Sequence, residues 1–249
     1  DHNWNPAEVK KQIIQNSIYG VDIEKGAVDI ARLRFWLSLI VEEKEPTALP
    51  NLDYKIVVGD SLLSKFEGEP LEIEWELTED SQTSMFGHEE FLKRQELLSD
   101  ITETQKNYFK AAAREKNELA LKIRNQKIDL LINQLSLMIQ TKGEENKPSG
   151  SGKKLDERME RWMNTQKWKE MLQTLKDLRD NPEKPFQHFD WKLDFPEIMN
   201  SAIFDGSLGF DIVIGNPPYG ITVVGDYRRI TEDKLGKVPD YEIYYLFIQ

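Results

Sequence analysis

The sequence predicts an α/β fold interrupted by a long helical hairpin, and three observations predict it. A strand, a helix and a second strand follow one another within the first 60 residues, the order of a βαβ unit. A polar stretch from about Phe86 to Leu178 then carries apolar residues at intervals of three and four, the spacing of helices that pair with each other. Strand character returns only near the end, in the apolar run Gly209-Phe210-Asp211-Ile212-Val213-Ile214-Gly215. The α/β part is therefore discontinuous, at residues 1–75 and 185–249, and the helical insert occupies 76–184.

Taken in order, the first element is a helix from Asn5 to Gln15, with Asn5 as N-cap and Pro6 at the first helical position. Ile18-Tyr19-Gly20-Val21-Asp22-Ile23 follows as a short strand. A helix runs from about Gly26 to Glu43, its apolar positions Ala27, Ile30, Leu33, Leu37 and Ile40 keeping helical spacing. Tyr54-Lys55-Ile56-Val57-Val58 is a second strand, and its unbroken apolar run suits a parallel sheet covered on both faces. Within the insert, Ile128, Leu131, Leu135 and Met138 form one stripe. Leu155, Met159 and Trp162, then Trp168, Met171, Leu175 and Leu178, form another. These methionines and tryptophans are read as hairpin core. Thr141 to Lys154 is rich in Gly, Ser, Lys and Glu and reads as a flexible tip. α/β character resumes from Phe186 to Ile198, Ile221 to Val238 reads as a loop, and Asp240 to Gln249 as the start of a helix.

Composition excludes several classes of function. With 249 residues, 39% hydrophobic and 31% charged, the chain has enough apolar material for a soluble core of one large domain, or a domain with a subdomain. The longest apolar candidate, Ile30 to Val41, is short and carries Arg32 and Arg34, so no membrane span is expected. There is no signal-peptide pattern. The absence of cysteine excludes disulfides and thiolate metal sites and fits a cytoplasmic location. His2, His88 and His188 are scattered without ligand spacing, so no metal site is expected. The net charge is -11, but residues 103–127 carry seven basic and three acidic side chains, and 153–176 carry seven and four. These stretches hold +7 between them and leave -18 on the rest, so phosphate contact is confined to the predicted helices. Ordinary solvated helix faces would look the same.

Asn216-Pro217-Pro218-Tyr219 follows the last predicted strand directly. A chance occurrence in a chain this long is on the order of one in a thousand, given average residue usage. Asn216 would place an amide oxygen at the strand mouth, where it and the Pro217 carbonyl each accept one N–H of a planar amine. That pushes the nitrogen towards tetrahedral geometry and frees its lone pair, by positioning and electrostatics without a strong base. Proline pre-aims the carbonyl through its fixed φ, and Tyr219 offers a ring for stacking. Asp22 and Asp60 also end predicted strands, at the edge where open α/β sheets bind ligands. Asp22 can accept both hydroxyls of a ribose while Ile23 lies against a base. Asp60, followed by Ser61 and Leu62, can accept from an exocyclic amine. Asp22 would serve equally well as a helix cap, Asp60 taken alone reads rather as a turn residue, and a rigid loop with an aromatic plug is the lesser alternative for the prolines and Tyr219.

Taken together, Ile18 to Ile23, Ala31 to Leu39, Gly59-Asp60-Ser61-Leu62 and Phe210 to Tyr219 resemble the Eco57I-type family of adenine-N6 DNA methyltransferases of type II restriction-modification systems, some of them type IIG. The resemblance covers roughly residues 10–65 and 185–249. It implies a Rossmann-like methyltransferase sheet and S-adenosyl-L-methionine as cofactor. Asp22 and Ile23 would hold the cofactor's ribose and adenine, and Asp60, Ser61 and Leu62 would contact that adenine. Asn216, Pro217, Pro218 and Tyr219 would hold the target adenine of double-stranded DNA, which must be flipped out to reach such a pocket. The family carries an Asp-x-x-x-Gly-x-Gly loop on a strand before the aspartate equivalent to Asp22, and nothing before Asp22 matches it. The expectation is a truncated chain whose sheet is incomplete, its first strand missing, and which is inactive by itself. Two other functions remain open. One is methylation of a protein glutamine amide, disfavoured by the insert of over a hundred residues between Asp60 and Asn216. The other is a non-catalytic DNA-contact or interaction arm.

Overall fold

The computed structural model describes residues 5–41, 52–71, 73, 85–111, 113–199, 209–217, 222 and 224–235. The chain divides into two compact units, one built from Asp1–Glu72 with His188–Gln249, the other from Ile73–Gln187. Among the described residues no helix is long and apolar enough to cross a membrane.

The first unit begins with α1, Pro6–Asn16, whose N-cap Asn5 accepts the Ala7 amide on its side-chain oxygen at 3.2 Å. β1, Gly20–Asp22, and β2, Ile56–Val58, pair in parallel with Gly20 opposite Ile56 and Asp22 opposite Val58. α2, Lys25–Ile40, connects them and completes the expected βαβ unit. The Gly20 amide donates to Lys55 O at 2.8 Å and the Gly59 amide to Asp22 O at 2.9 Å, so the ladder runs past both strand ends.

Side chains alternate across the pleat. Ile56 joins Ile14, Val28, Leu39 and Leu52 in a core on the helical side, with Phe35, Trp36 and Val58 packed against it. Val57 joins Phe189 and Phe195 on the other face, with Tyr19, Val21, Trp191 and Phe210 packed against that cluster. Ile56 turns its polar groups away from β1. Its amide donates to Leu52 O at 2.9 Å, and its carbonyl accepts from Arg32 Nε and Nη2 at 2.9 and 2.5 Å.

The spacing of α2 predicted the helix correctly but indicated the wrong face. Ile30, Leu33, Leu37 and Ile40 are at least half exposed, while Val28 and Leu39 are buried. The helix is apolar nearly all round, and the face carrying the two aromatic rings and Arg32 has more to offer the sheet.

β3, Lys65–Phe66, and β4, Glu69–Pro70, form an unanticipated antiparallel hairpin. Glu67 and Gly68 turn it with φ of 51° and 80°, the positive pair that a two-residue turn between twisted strands requires.

Among its described residues the second unit has three long helices where a two-helix hairpin was expected: α3, Met85–Lys110, α4, Ala113–Lys142, and α5, Lys153–Asp180. α4 packs against both of the others. The reason lies in α4, where Ile128, Leu131 and Leu135 form the expected stripe and Leu130, Gln134 and Leu137 bury a second. A helix apolar on two sides needs two partners. Arg94 Nη1 donates to Gln134 Oε1 at 2.8 Å, and Arg179 pairs with Asp129 at 2.8 Å. The tip expected between Thr141 and Lys154 is tied to α5: the Glu144 amide donates to Thr165 Oγ1 at 2.9 Å, and Lys147 Nζ lies over the Trp162 ring. Arg124 and Arg158, from the two basic stretches, are engaged within the unit by the Leu178 carbonyl and by Glu144.

Back in the first unit, α6, Trp191–Asp194, and α7, Pro196–Met199, occupy the return segment. The strand expected over Gly209–Gly215 is not formed, and Ile212, Val213 and Ile214 are 80%, 79% and 91% exposed. A strand exists only where its amides and carbonyls are paired with a neighbour, and residues 209–217 pair with no strand among the described residues. The loop expected from Ile221 contains α8, Gly225–Leu235. The helix expected from Asp240 lies outside the described residues.

Gly59 abuts the Phe189 ring so closely that an added Cβ would lie 2.3 Å from Cγ. Gly59→Ala is therefore expected to destabilise the chain by about 1–3 kcal/mol, the usual penalty of overpacking. Urea unfolding against wild type measures it, and an unchanged midpoint would contradict the packing.

Candidate active site

Asp22 closes β1 and is exposed. Its Oδ1 accepts the Glu24 amide at 2.8 Å, which turns the chain into α2. Glu24, the N-cap itself, makes no side-chain cap bond. Asp22 thus serves a turn with one oxygen and keeps acceptor capacity on the other. Ile23 stands beside it, 67% exposed, an apolar plate held out at the strand end.

The Gly59-to-Asp22 backbone bond sets the end of β2 alongside. Asp60 is half-buried, its Oδ1 accepting the Leu62 and Leu63 amides at 3.0 and 3.2 Å and its Oδ2 facing Lys65 Nζ at 3.7 Å. The turn role foreseen for Asp60 is real. The Ser61 carbonyl accepts the Trp191 indole N–H at 3.0 Å. Ser61 and Leu62 are half-buried. The structure therefore brings Asp22, Ile23, Asp60, Ser61 and Leu62 to adjacent strand ends. An exposed carboxylate, an exposed apolar side chain and a second carboxylate suit a ribose diol next to a flat base.

Asn216 is exposed and Pro217 half-buried, while Pro218 and Tyr219 lie outside the described residues. No third strand end carries Asn216. Its segment is held through Phe210, whose ring makes edge contacts with Tyr19 at 5.5 Å, Trp191 at 5.9 Å and Phe195 at 6.2 Å. The Gly209 amide donates to Ile198 O at 3.1 Å, with φ of 99° at that glycine.

Sequence reasoning passed over a polar cluster at the opposite, amino end of the sheet. Lys55 Nζ donates to the Tyr19 hydroxyl and lies 3.2 Å from Glu197 Oε1, and Tyr19 O–H donates to the same oxygen at 3.1 Å. Burial, then Glu197, push the Tyr19 phenol well above its ordinary value. Burial pulls the Lys55 ammonium below its own, against the pull of Glu197. The available signal was a lysine inside an apolar run, directly before Ile56. Trp191 was passed over too, although aromatics recur at Phe189, Trp191 and Phe195.

The profile of the Eco57I restriction-modification methylase family matches residues 16–249. A protein of Methanocaldococcus jannaschii, provisionally named a type II restriction enzyme and methyltransferase, is 26% identical over 254 residues. That alignment covers 96% of this chain and 21% of the relative, so the chain spans about a fifth of the relative's length. No solved structure matches the chain.

The Tyr19 cluster gives the fold an alkaline signature. The phenol is raised in the folded state, so its contribution to stability is complete below pH 10.0 and is lost as pH climbs above it. The lowered Lys55 acts with the opposite sign, its penalty lifting as pH approaches 10.5. Tyr19→Phe keeps Lys55 and removes only the phenol, so above pH 10.0 it should lose less stability than wild type. Urea midpoints followed across that pH decide the matter; parallel curves would contradict the assignment.

Proposed function

The chain belongs to the Eco57I restriction-modification methylase family, and from that premise we propose that it carries the methyl-transfer site of a DNA methyltransferase acting on adenine N6. The observation that carries this reading is the exposed Asn216, followed by Pro217, on a segment anchored to the same aromatic cluster that covers the β1–β2 sheet.

S-adenosyl-L-methionine, when bound, supplies an electrophilic methyl group. Asp22 accepts from the ribose hydroxyls and Ile23 lies against the adenine. Asp60, with Ser61 beside it, meets the exocyclic amine, and Leu62 packs nearby. The exposure of Asp22 and Ile23, and the backbone bond that keeps Asp60 next to them, support this assignment.

Asn216 Oδ1 and the Pro217 carbonyl each accept one N–H of the target amine and localise its lone pair. Pro218 stiffens the loop and Tyr219 stacks on the base. An adenine inside a duplex cannot meet an amide in this way, so the base is flipped out, at a cost of a few kcal/mol. Double-stranded DNA is thus the partner in this reading.

Asn216→Ala in the complete polypeptide should lower methyl transfer on the order of 100-fold or more, with the fold intact by circular dichroism. Labelled S-adenosyl-L-methionine and unmethylated DNA, followed by nucleoside analysis, measure the transfer. Label on a protein glutamine with none on adenine would overturn the reading.

A further inference from the structure

We propose that Trp191 is a positioning residue that couples the cofactor loop to the target-base segment; the inference rests on the methyl-transfer reading above. Its indole N–H donates to the carbonyl of Ser61, between Asp60 and Leu62, at 3.0 Å. Its ring meets Phe210 at 5.9 Å and 69°, six residues before Asn216 in the chain. One side chain thus touches both halves of the site. The structure assigns this role to no smaller aromatic, because phenylalanine has the ring and lacks the donor.

The backbone under Trp191 is fixed by its own helix cap. Asp190 caps α6, its Oδ1 accepting the Lys192 and Leu193 amides at 3.0 and 3.1 Å. The Asp190 amide donates to Asp194 Oδ2 at 3.0 Å, and Ser64 Oγ donates to Asp190 Oδ2 at 3.4 Å. Phe189 and Phe195 hold the indole at 5.1 and 5.8 Å. With the base of the side chain immobile, a shift of the Ser61 carbonyl is passed to the indole and from it to the Phe210 edge. Cofactor binding at Asp60–Leu62 then orders the Asn216 segment, and by thermodynamic linkage DNA binding tightens the cofactor by the same factor.

The test uses the complete polypeptide, S-adenosylhomocysteine and sheared, unmethylated genomic DNA. Calorimetry gives the affinity for S-adenosylhomocysteine with and without saturating DNA, and the ratio is the coupling factor. Wild type should show a factor on the order of tenfold, within the usual range for coupled sites. Trp191→Phe keeps a ring among Phe189, Phe195 and Phe210 and removes the donor; its factor should fall to about one at an unchanged melting temperature. Phe210→Leu should lose the factor as well, with affinity for S-adenosylhomocysteine alone unchanged, and it decides the matter if Trp191→Phe does not fold. A wild-type factor in the folded variants overturns the proposal, even if cofactor affinity drops uniformly, since that marks a purely structural tryptophan. A wild-type polypeptide that binds both ligands without mutual effect also overturns it. Wild type that puts no label on adenine overturns the methyl-transfer reading instead, and this inference with it.

Discussion

The bond from the Gly59 amide to the Asp22 carbonyl is the constraint on which the α/β unit depends. It closes a ladder only three residue pairs long, and it forces the residues after β1 and β2 to share one edge. Gly59 can occupy that place because it has no side chain where Phe189 packs. Phe189 in turn brings the segment from His188 to Met199 onto the face formed by Val21 and Val57, and the remaining aromatic rings close around it. A short, local hydrogen bond thus organises residues more than a hundred positions apart in sequence.

The two edges of this small sheet differ in chemistry. At the carboxyl edge Asp22 and Asp60 each use one oxygen for a backbone turn, and Asp60 turns the other towards Lys65. At the amino edge Tyr19, Lys55 and Glu197 bond to one another. Burial works against the charged forms of Tyr19 and Lys55, and the amino cluster is a clamp holding α7 to the strands.

The βαβ unit was legible because its signals are local: Asn5 and Pro6 at a helix start, continuous apolar runs at Ile18 and Tyr54, and an aspartate after each strand. The insert was legible as helical for the same reason, through the spacing of Ile128, Leu131 and Leu135. What sequence could not reveal depends on partners. Leu130 and Leu137 on α4 were apolar but gave no sign of a third helix. Ile30, Leu33, Leu37 and Ile40 and their opposites Val28 and Leu39 look alike until a sheet chooses between them. Ile212, Val213 and Ile214 have every local mark of a strand, and lack only the neighbouring backbone that would make them one. The motif itself was read from residue type, and the Trp191 link between Ser61 and Phe210 required three distant segments to meet.

Arg32 gives the sheet a direction of growth. Ile56 faces outward from the pair, and both of its backbone groups are already satisfied, the amide by Leu52 and the carbonyl by the guanidinium. A strand approaching that flank would find the donor and acceptor of Ile56 already taken and would have to evict a charged, doubly bonded side chain there. One arginine on α2 therefore blunts the outer edge of β2 at Ile56, while none of the Arg32 bonds described above guards the outer edge of β1.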